Sequence, residues 1–251
     1  MTSSCCLSRA MRPDGPLRRI RFTWIVVVAL VLLAAGLWIG APRPVPAGEP
    51  AVVVPVPALD NPKNGVGSTE TAVLAGGCFW GVQGVYQHVR GVRQVLSGYA
   101  GGTKTTADYE TVSRGGTDHA ESVEVRFDPK EVSYGEILQI YFSVVHDPAQ
   151  LDRQGPDTGR QYRSNIFYVS DLQQRIARAY IAQLEQSKAF PRAIVTRVDP
   201  LKGFYPAEAY HQDFLLKHPS HPYIVINDLP KVENLKRVFP ERYRERPVTS
   251  D

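Results

Sequence analysis

The sequence predicts an α/β (α+β) fold, a ferredoxin-like split βαβ sandwich with additional C-terminal helices. Three observations predict it. From residue 71 onward the chain runs strand, helix, strand, strand, helix, strand, with a further helix and strand added. Residues 121–127 alternate, with Glu121, Val123, Val125 and Phe127 on one face and Ser122, Glu124 and Arg126 on the other. Two pairs, Ser133 with Glu136 and Ser170 with Gln173, have the spacing of capping boxes and mark the starts of two helices.

In order, residues 71–75 form a short apolar strand closed by Gly76-Gly77. Residues 78–89 read as a helix, with Phe79, Val82 and Tyr86 on one face and Val85 and Val89 beside them. A strand is expected over 91–97, then a glycine-rich loop over 98–116, then the alternating strand. The first capped helix runs to about residue 145. A strand over 163–169 leads to the second capped helix, through Gln186. A strand over 193–198 and short helices near 210–217 and 231–238 complete the domain.

Charge narrows the function classes. The net charge is +4, but six arginines among residues 1–50 against Asp14 and Glu49 account for all of it. A nucleic-acid binder concentrates basic charge on its folded domain, so nucleic acid is not an expected partner. Residues 22–39, FTWIVVVALVLLAAGLWI, hold no charge and no proline. As a helix they would span about 27 Å, close to the hydrocarbon thickness of a bilayer. Arg18, Arg19 and Arg21 precede them and place the N-terminus in the cytoplasm. The length favours an uncleaved anchor over a signal peptide cut after Ala47. The expected organisation is a basic cytoplasmic segment (1–21), a transmembrane anchor (22–40), a proline-rich extended linker (41–69), a catalytic domain (70–242) and a tail (243–251). The domain is thus expected on the extracytoplasmic, periplasmic side of the membrane.

The three cysteines are Cys5, Cys6 and Cys78. The first two precede the anchor, so the exported domain has a single thiol and no internal disulfide partner. A lone exported thiol is open to oxidation, which favours a functional role over inert burial. In GGCFWG the thiol follows two glycines at a strand-to-helix junction, where helix N–H groups and the macrodipole favour a thiolate. Phe79 and Trp80 point about a hundred degrees apart on a helix, so at least one is expected to line a pocket beside the sulfur. Glu121 shares an apolar strand face. There it is either a proton donor with a raised pKa or, at the first strand position, a group reaching solvent; the residues alone leave both open.

The blocks GGCFWG (76–81), GYAGG (98–102), HAESVEV (119–125), HDPAQ (146–150) and QGPDTGRQYRS (154–164) closely resemble, in order and spacing, the A type of peptide methionine sulfoxide reductase. The resemblance covers residues 71–242. It implies that Cys78 attacks the sulfoxide sulfur and Glu121 protonates its oxygen. It further implies that Tyr109 and Tyr162 hydrogen-bond that oxygen, that Phe79 and Trp80 cradle the methyl group, and that Asp157 assists substrate binding. Selectivity for the S epimer follows from it, as does repair of oxidised proteins or peptides. Cys78 would pass to a sulfenic acid. Many members carry C-terminal cysteines that resolve this acid, whereas this chain has none after Cys78. The expected reductant is therefore external, a thioredoxin-like protein or a small thiol, with no bound cofactor and no metal, and the protein is expected to be a monomer. Asp118 stands where the family usually has glycine, with little consequence expected.

Other readings carry less. His146 and Asp147 could serve a cysteine hydrolase, but Pro148 suggests a structural turn. His211, His218 and His221 lack a tight ligand pair and read as surface histidines. A non-catalytic tethered module that binds oxidised or Met-rich segments is the remaining alternative.

Overall fold

The computed structural model describes residues 48–61 and 69–251. The apolar segment 22–39 lies outside the described residues, and no helix among those described is long and apolar enough to cross a membrane.

The sheet is built from β1 (Glu70–Ala75), β2 (Val92–Ala100), β3 (Ala120–Phe127), β6 (Asn165–Tyr168), β7 (Arg197–Pro200) and β8 (Phe204–Pro206), in the order β7-β6-β1-β3-β2-β8. Its four central strands, β6-β1-β3-β2, pair antiparallel throughout and give the split βαβ arrangement expected from sequence. β7 adds to one edge in parallel and β8 to the other antiparallel. Strands β4 (Arg153–Gln154) and β5 (Asp157–Thr158) form a separate hairpin.

Helices α1 (Phe79–Gln87), α3 (Tyr134–Ile140) and α4 (Asp171–Gln186) supply side chains to the main core. The two-residue period of the strands sorts the sheet faces. Ala72, Leu74, Val123, Val125 and Phe127 join the main core, while Val73, Ala75, Ala100, Ala120 and Phe167 form a small cluster on the reverse face. Glu121, in phase with Val123, is therefore carried on the core side. The Ser133–Glu136 capping box is fully formed and starts α3, which ends in a π-turn at Tyr141–Val145. Ser170 accepts from the Gln173 N–H and starts α4.

Several boundaries differ from the sequence reading. β2 runs on to Ala100 because β8 pairs with its last residues. At three residues, β8 is too short to announce itself. The expected glycine-rich loop contains a helix, α2 (Tyr109–Ser113), whose N-cap Asp108 accepts from the Thr111 N–H at 3.0 Å. The strand expected at 193–198 starts only at Arg197, since the Val195 N–H is engaged by the Pro148 carbonyl at 2.8 Å, away from the sheet. Two short C-terminal helices are present, α5 (Phe214–Lys217) and α6 (Leu229–Val238).

The described part of the proline-rich segment is extended, as its prolines require, but it is bound along its length rather than free. Val52 N–H donates to the Ser143 carbonyl at 2.9 Å. Gln139 and Tyr180 donate to the Val54 and Pro55 carbonyls. Gln183 both donates to the Val56 carbonyl and accepts from the Ala58 N–H. Val54 is buried in the core, and Asp60 and Asn61 accept from the first N–H groups of α3. This strap uses backbone groups that would otherwise need water. Tyr180→Phe removes the 2.6 Å bond to Pro55 and is expected to cost about 1 kcal/mol, read as a lower urea midpoint at unchanged slope.

Candidate active site

The site is built at the junction of β1 and α1. Gly77 turns the chain at φ +92, and any Cβ there would lie 2.7 Å from the Gln154 side chain, so glycine is required twice over. Cys78 follows as the N-cap of α1 and is only 9% exposed. The expectation that the helix terminus leaves a thiolate needs correction. Burial pushes the thiol well above its usual range, and the carboxylates of Glu121, Asp228 and Asp157 push it further. The Trp80 N–H opposes them but does not win.

Glu121 does not reach solvent. Its side chain is buried, and Oε2 accepts from the Phe79 N–H at 3.0 Å, tying β3 to the first turn of α1. Burial raises its pKa to about 8; the Phe79 N–H lowers it, and Asp157 and Asp228 raise it again. At neutral pH the carboxyl therefore holds its proton. In that state it no longer opposes ionisation of Cys78, so the two titrations are coupled. One buried contact thus holds the carboxyl against the residue that follows the thiol.

The remaining residues singled out in the sequence arrive from separate elements. Tyr109 is the first residue of α2, with its N–H donating to Glu208 at 2.9 Å. Tyr162 sits in a single 3₁₀ turn, Arg160–Tyr162, and Asp157 in the β4–β5 hairpin. Burial, then Glu121, Asp157 and Cys78, raises the Tyr162 hydroxyl; burial, then Glu121 and Cys78, raises that of Tyr109. Both hydroxyls thus remain protonated donors facing the same groups. Asp157 accepts a hydrogen bond from the Tyr223 hydroxyl and is itself raised, chiefly by burial.

Phe79 and Trp80 divide their roles as helix geometry requires. Phe79 is buried in the core, while Trp80 is half-buried and stacks on Phe214 at 3.7 Å between ring centroids. Tyr223 meets Trp80 edge-on at 5.9 Å. His211 joins this wall and is not a surface residue. It is buried, its Nδ1 accepts from Trp80 Nε1 at 3.1 Å, and its ring lies 4.5 Å from Tyr109 and 5.0 Å from Phe79. Among the described residues no group of three His, Cys, Asp or Glu side chains is arranged to hold a metal ion. His146 is equally unavailable as a base: its ring is engaged by the Tyr141 carbonyl and Thr196, and burial lowers it to about 3.

A sequence model described as peptide methionine sulfoxide reductase matches residues 70–243. The chain belongs to the peptide methionine sulfoxide reductase family. The MsrA 2 protein of Mesorhizobium japonicum is 61% identical over 180 residues, covering 72% of this chain and 92% of its own length. That of Synechocystis is 53% identical over 194 residues, covering 76% and 91%. Methionine sulfoxide reductase A of Corynebacterium diphtheriae superposes with a TM-score of 0.53 at 32% identity, over 72% of this chain and 93% of that one. Mxr1 of Saccharomyces cerevisiae in reduced form gives 0.55 at 32% identity, over 61% and 88%. This reductase is an oxidoreductase acting on peptide methionine (S)-S-oxide.

The sequence reading of the reductase missed residues that the fold brings to the site. Asp228 is fully buried beside α1, and a Cβ on Gly81 would lie 2.1 Å from its Oδ1. Neither of its oxygens has a hydrogen-bond partner; its ion partner is the buried Lys231, at 3.6 Å. Burial raises it to about 6. Glycine at position 81 was the available sign that something approaches there. Glu49, from the strap, accepts from Gln150 at 2.7 Å and twice from Gln154 at 2.6 Å, fixing the side chain that covers Gly77. Glu208 holds Tyr99 and Tyr109 together. Asp228→Asn removes a charge that disfavours ionisation of Cys78 and Glu121. Both titrations are expected to move to lower pH, followed by thiol alkylation rate and by the carboxyl 13C shift.

Proposed function

We propose that this reductase works through Cys78 as nucleophile and Glu121 as proton donor, and that it repairs oxidised proteins outside the cytoplasm with reducing equivalents from an external thiol. The observation that carries this reading is the buried Glu121, its pKa raised by burial, held by the Phe79 N–H next to the lone thiol of the domain.

Sulfoxide reduction moves one oxygen atom and two electrons. Cys78 sulfur attacks the sulfoxide sulfur while Glu121 delivers a proton to the oxygen, and the Cys78 proton restores Glu121. The hydroxyl then passes from the methionine sulfur to the Cys78 sulfur as the new S–S bond breaks, its electron pair staying on the methionine sulfur, so the thiol becomes a sulfenic acid and the sulfoxide a thioether. Tyr109 and Tyr162, kept protonated, donate to the oxygen as its charge develops. The Trp80 face, with the neighbouring Phe79, receives the substrate methyl, and Asp157 with Tyr223 binds the peptide alongside.

Regeneration needs two thiols. The first attacks the sulfenic sulfur, expelling water and leaving a mixed disulfide; the second releases Cys78 as thiol and leaves the donor oxidised. No cysteine follows Cys78, and Cys5 and Cys6 precede the apolar segment. Both thiols therefore come from a thioredoxin-like protein or a small thiol. The apolar run at 22–39 behind three arginines supports a single-pass anchor with the domain on the periplasmic side, acting as a monomer.

Cys78→Ser is expected to abolish reduction of a methionine sulfoxide peptide; retained activity would assign the nucleophile elsewhere. In the parent enzyme kcat/KM should fall as pH rises through about 8, when Glu121 loses its proton. Glu121→Gln should lower activity ~10²–10⁴-fold and remove that limb. Without added thiol, mass spectrometry should find one methionine formed per chain and Cys78 carrying one oxygen. Replacing Cys5 and Cys6 by Ser should leave thiol-driven turnover unchanged; loss of turnover would make them the resolving pair.

A further inference from the structure

A second cavity, of ~320 Å³, opens at the end of the sheet where β3 and β6 begin, and no part of the reductase chemistry uses it. Arg160, Arg163, Arg197 and Lys202 line it together with Asp118 and Asp199. Four cations against two carboxylates leave a surplus of two positive charges around one space.

Arg163 is the central observation. It is only 5% exposed, yet its guanidinium is fixed entirely by uncharged groups. One terminal nitrogen donates to the His119 and Arg160 carbonyls at 3.0 and 2.7 Å, and the other to the Asp118 carbonyl at 2.7 Å. Nε is buried with no hydrogen-bond partner. A buried cation normally has a paired anion, because desolvation otherwise goes uncompensated. Burial and the neighbouring Arg197 and Arg160 all press against the charge on Arg163.

Asp152 and Asp199 relieve it only in part, and neither is bonded to the guanidinium. Asp199 is taken by Arg197 at 2.9 Å and by Asn165 at 2.8 Å. Asp118 meets Arg160 at only 3.7 Å. Lys202 has no ion partner among the described residues. The missing partner is an anion, and the volume exceeds that of a bare phosphate, leaving room for a small organic group.

We infer that this cavity is a binding site for a small dianionic oxyanion, a phosphate monoester or a dicarboxylate, neutralising Arg163 with Arg197, Arg160 and Lys202. Arg160 and Arg163 flank Tyr162, and two of the three carbonyls that hold Arg163, those of Asp118 and His119, belong to the turn leading into Glu121. The occupied site would therefore brace both segments from behind. Asp118 acts as a weak internal competitor at the rim.

The test is titration of the full chain with inorganic phosphate, and separately with succinate, at constant ionic strength, by calorimetry and 31P line width. Saturable one-to-one binding with Kd of about 1 mM or tighter is expected for at least one probe. Which probe binds distinguishes the phosphate from the dicarboxylate class. Arg197→Gln and Lys202→Gln should each weaken binding ~10-fold, while Asp118→Asn, which keeps the backbone carbonyl, should tighten it several-fold, about 2–5. Unchanged reductase activity in these three variants shows that they are folded. Non-saturating binding of both probes, or equal affinity in the parent and all three variants, overturns the inference. Loss of the reductase reading would leave these measurements unaffected.

Discussion

One hydrogen bond, from the Phe79 N–H to the Glu121 carboxyl, organises this enzyme. It joins the first turn of α1 to the start of β3, and so joins the residue after the thiol to the acid. The geometry fixes more than distance. A carboxyl in that place is shut off from water and surrounded by Asp157 and Asp228, so the neutral form is favoured even though a helix N–H points at it. The price of carrying an ionisable group on an apolar strand face is a carboxyl that keeps its proton near neutrality.

Around this bond the surroundings are arranged as a balance of anions and donors. Cys78, Glu121, Asp157 and Asp228 share a small volume near one helix terminus, and Lys231 is the buried cation beside them. A thiol in such company resists ionisation at rest. On the mechanism proposed above, its reactivity is raised by what enters the pocket and by the proton that Glu121 passes on, rather than by a standing thiolate. The tyrosines Tyr109 and Tyr162 belong to the same balance, since burial first and then the same negative neighbours retain their protons.

How much of this was legible in the sequence depends on the range of the information. Cys78 and its two glycines form a local junction, and the alternation through Phe127 puts Glu121 on the apolar strand face, while its burial at the start of the strand needed the fold. The split βαβ order follows likewise from element types and two capping boxes. What was illegible is set by distant approach. Nothing in the neighbours of Asp228 separates it from an ordinary helix-start acid; only its seat against Gly81 does. His211 is flanked by polar residues, yet Phe79, Trp80 and Tyr109 enclose it. β8 is too short for a periodic pattern. Prolines in residues 48–61 announce an extended chain but not the row of Gln and Tyr donors that receives it.

The strap also changes where this enzyme begins. The family match starts at residue 70, and every recognisable motif lies after it. A chain shortened to that boundary would keep the complete catalytic inventory and lose Val54 from the core, Asp60 and Asn61 from the head of α3, and Glu49 from Gln154. Because Gln154 rests on Gly77, the loss would be felt one residue from the thiol. The folded unit is larger than the family match, and a segment with the composition of a spacer holds the side chain that covers Gly77.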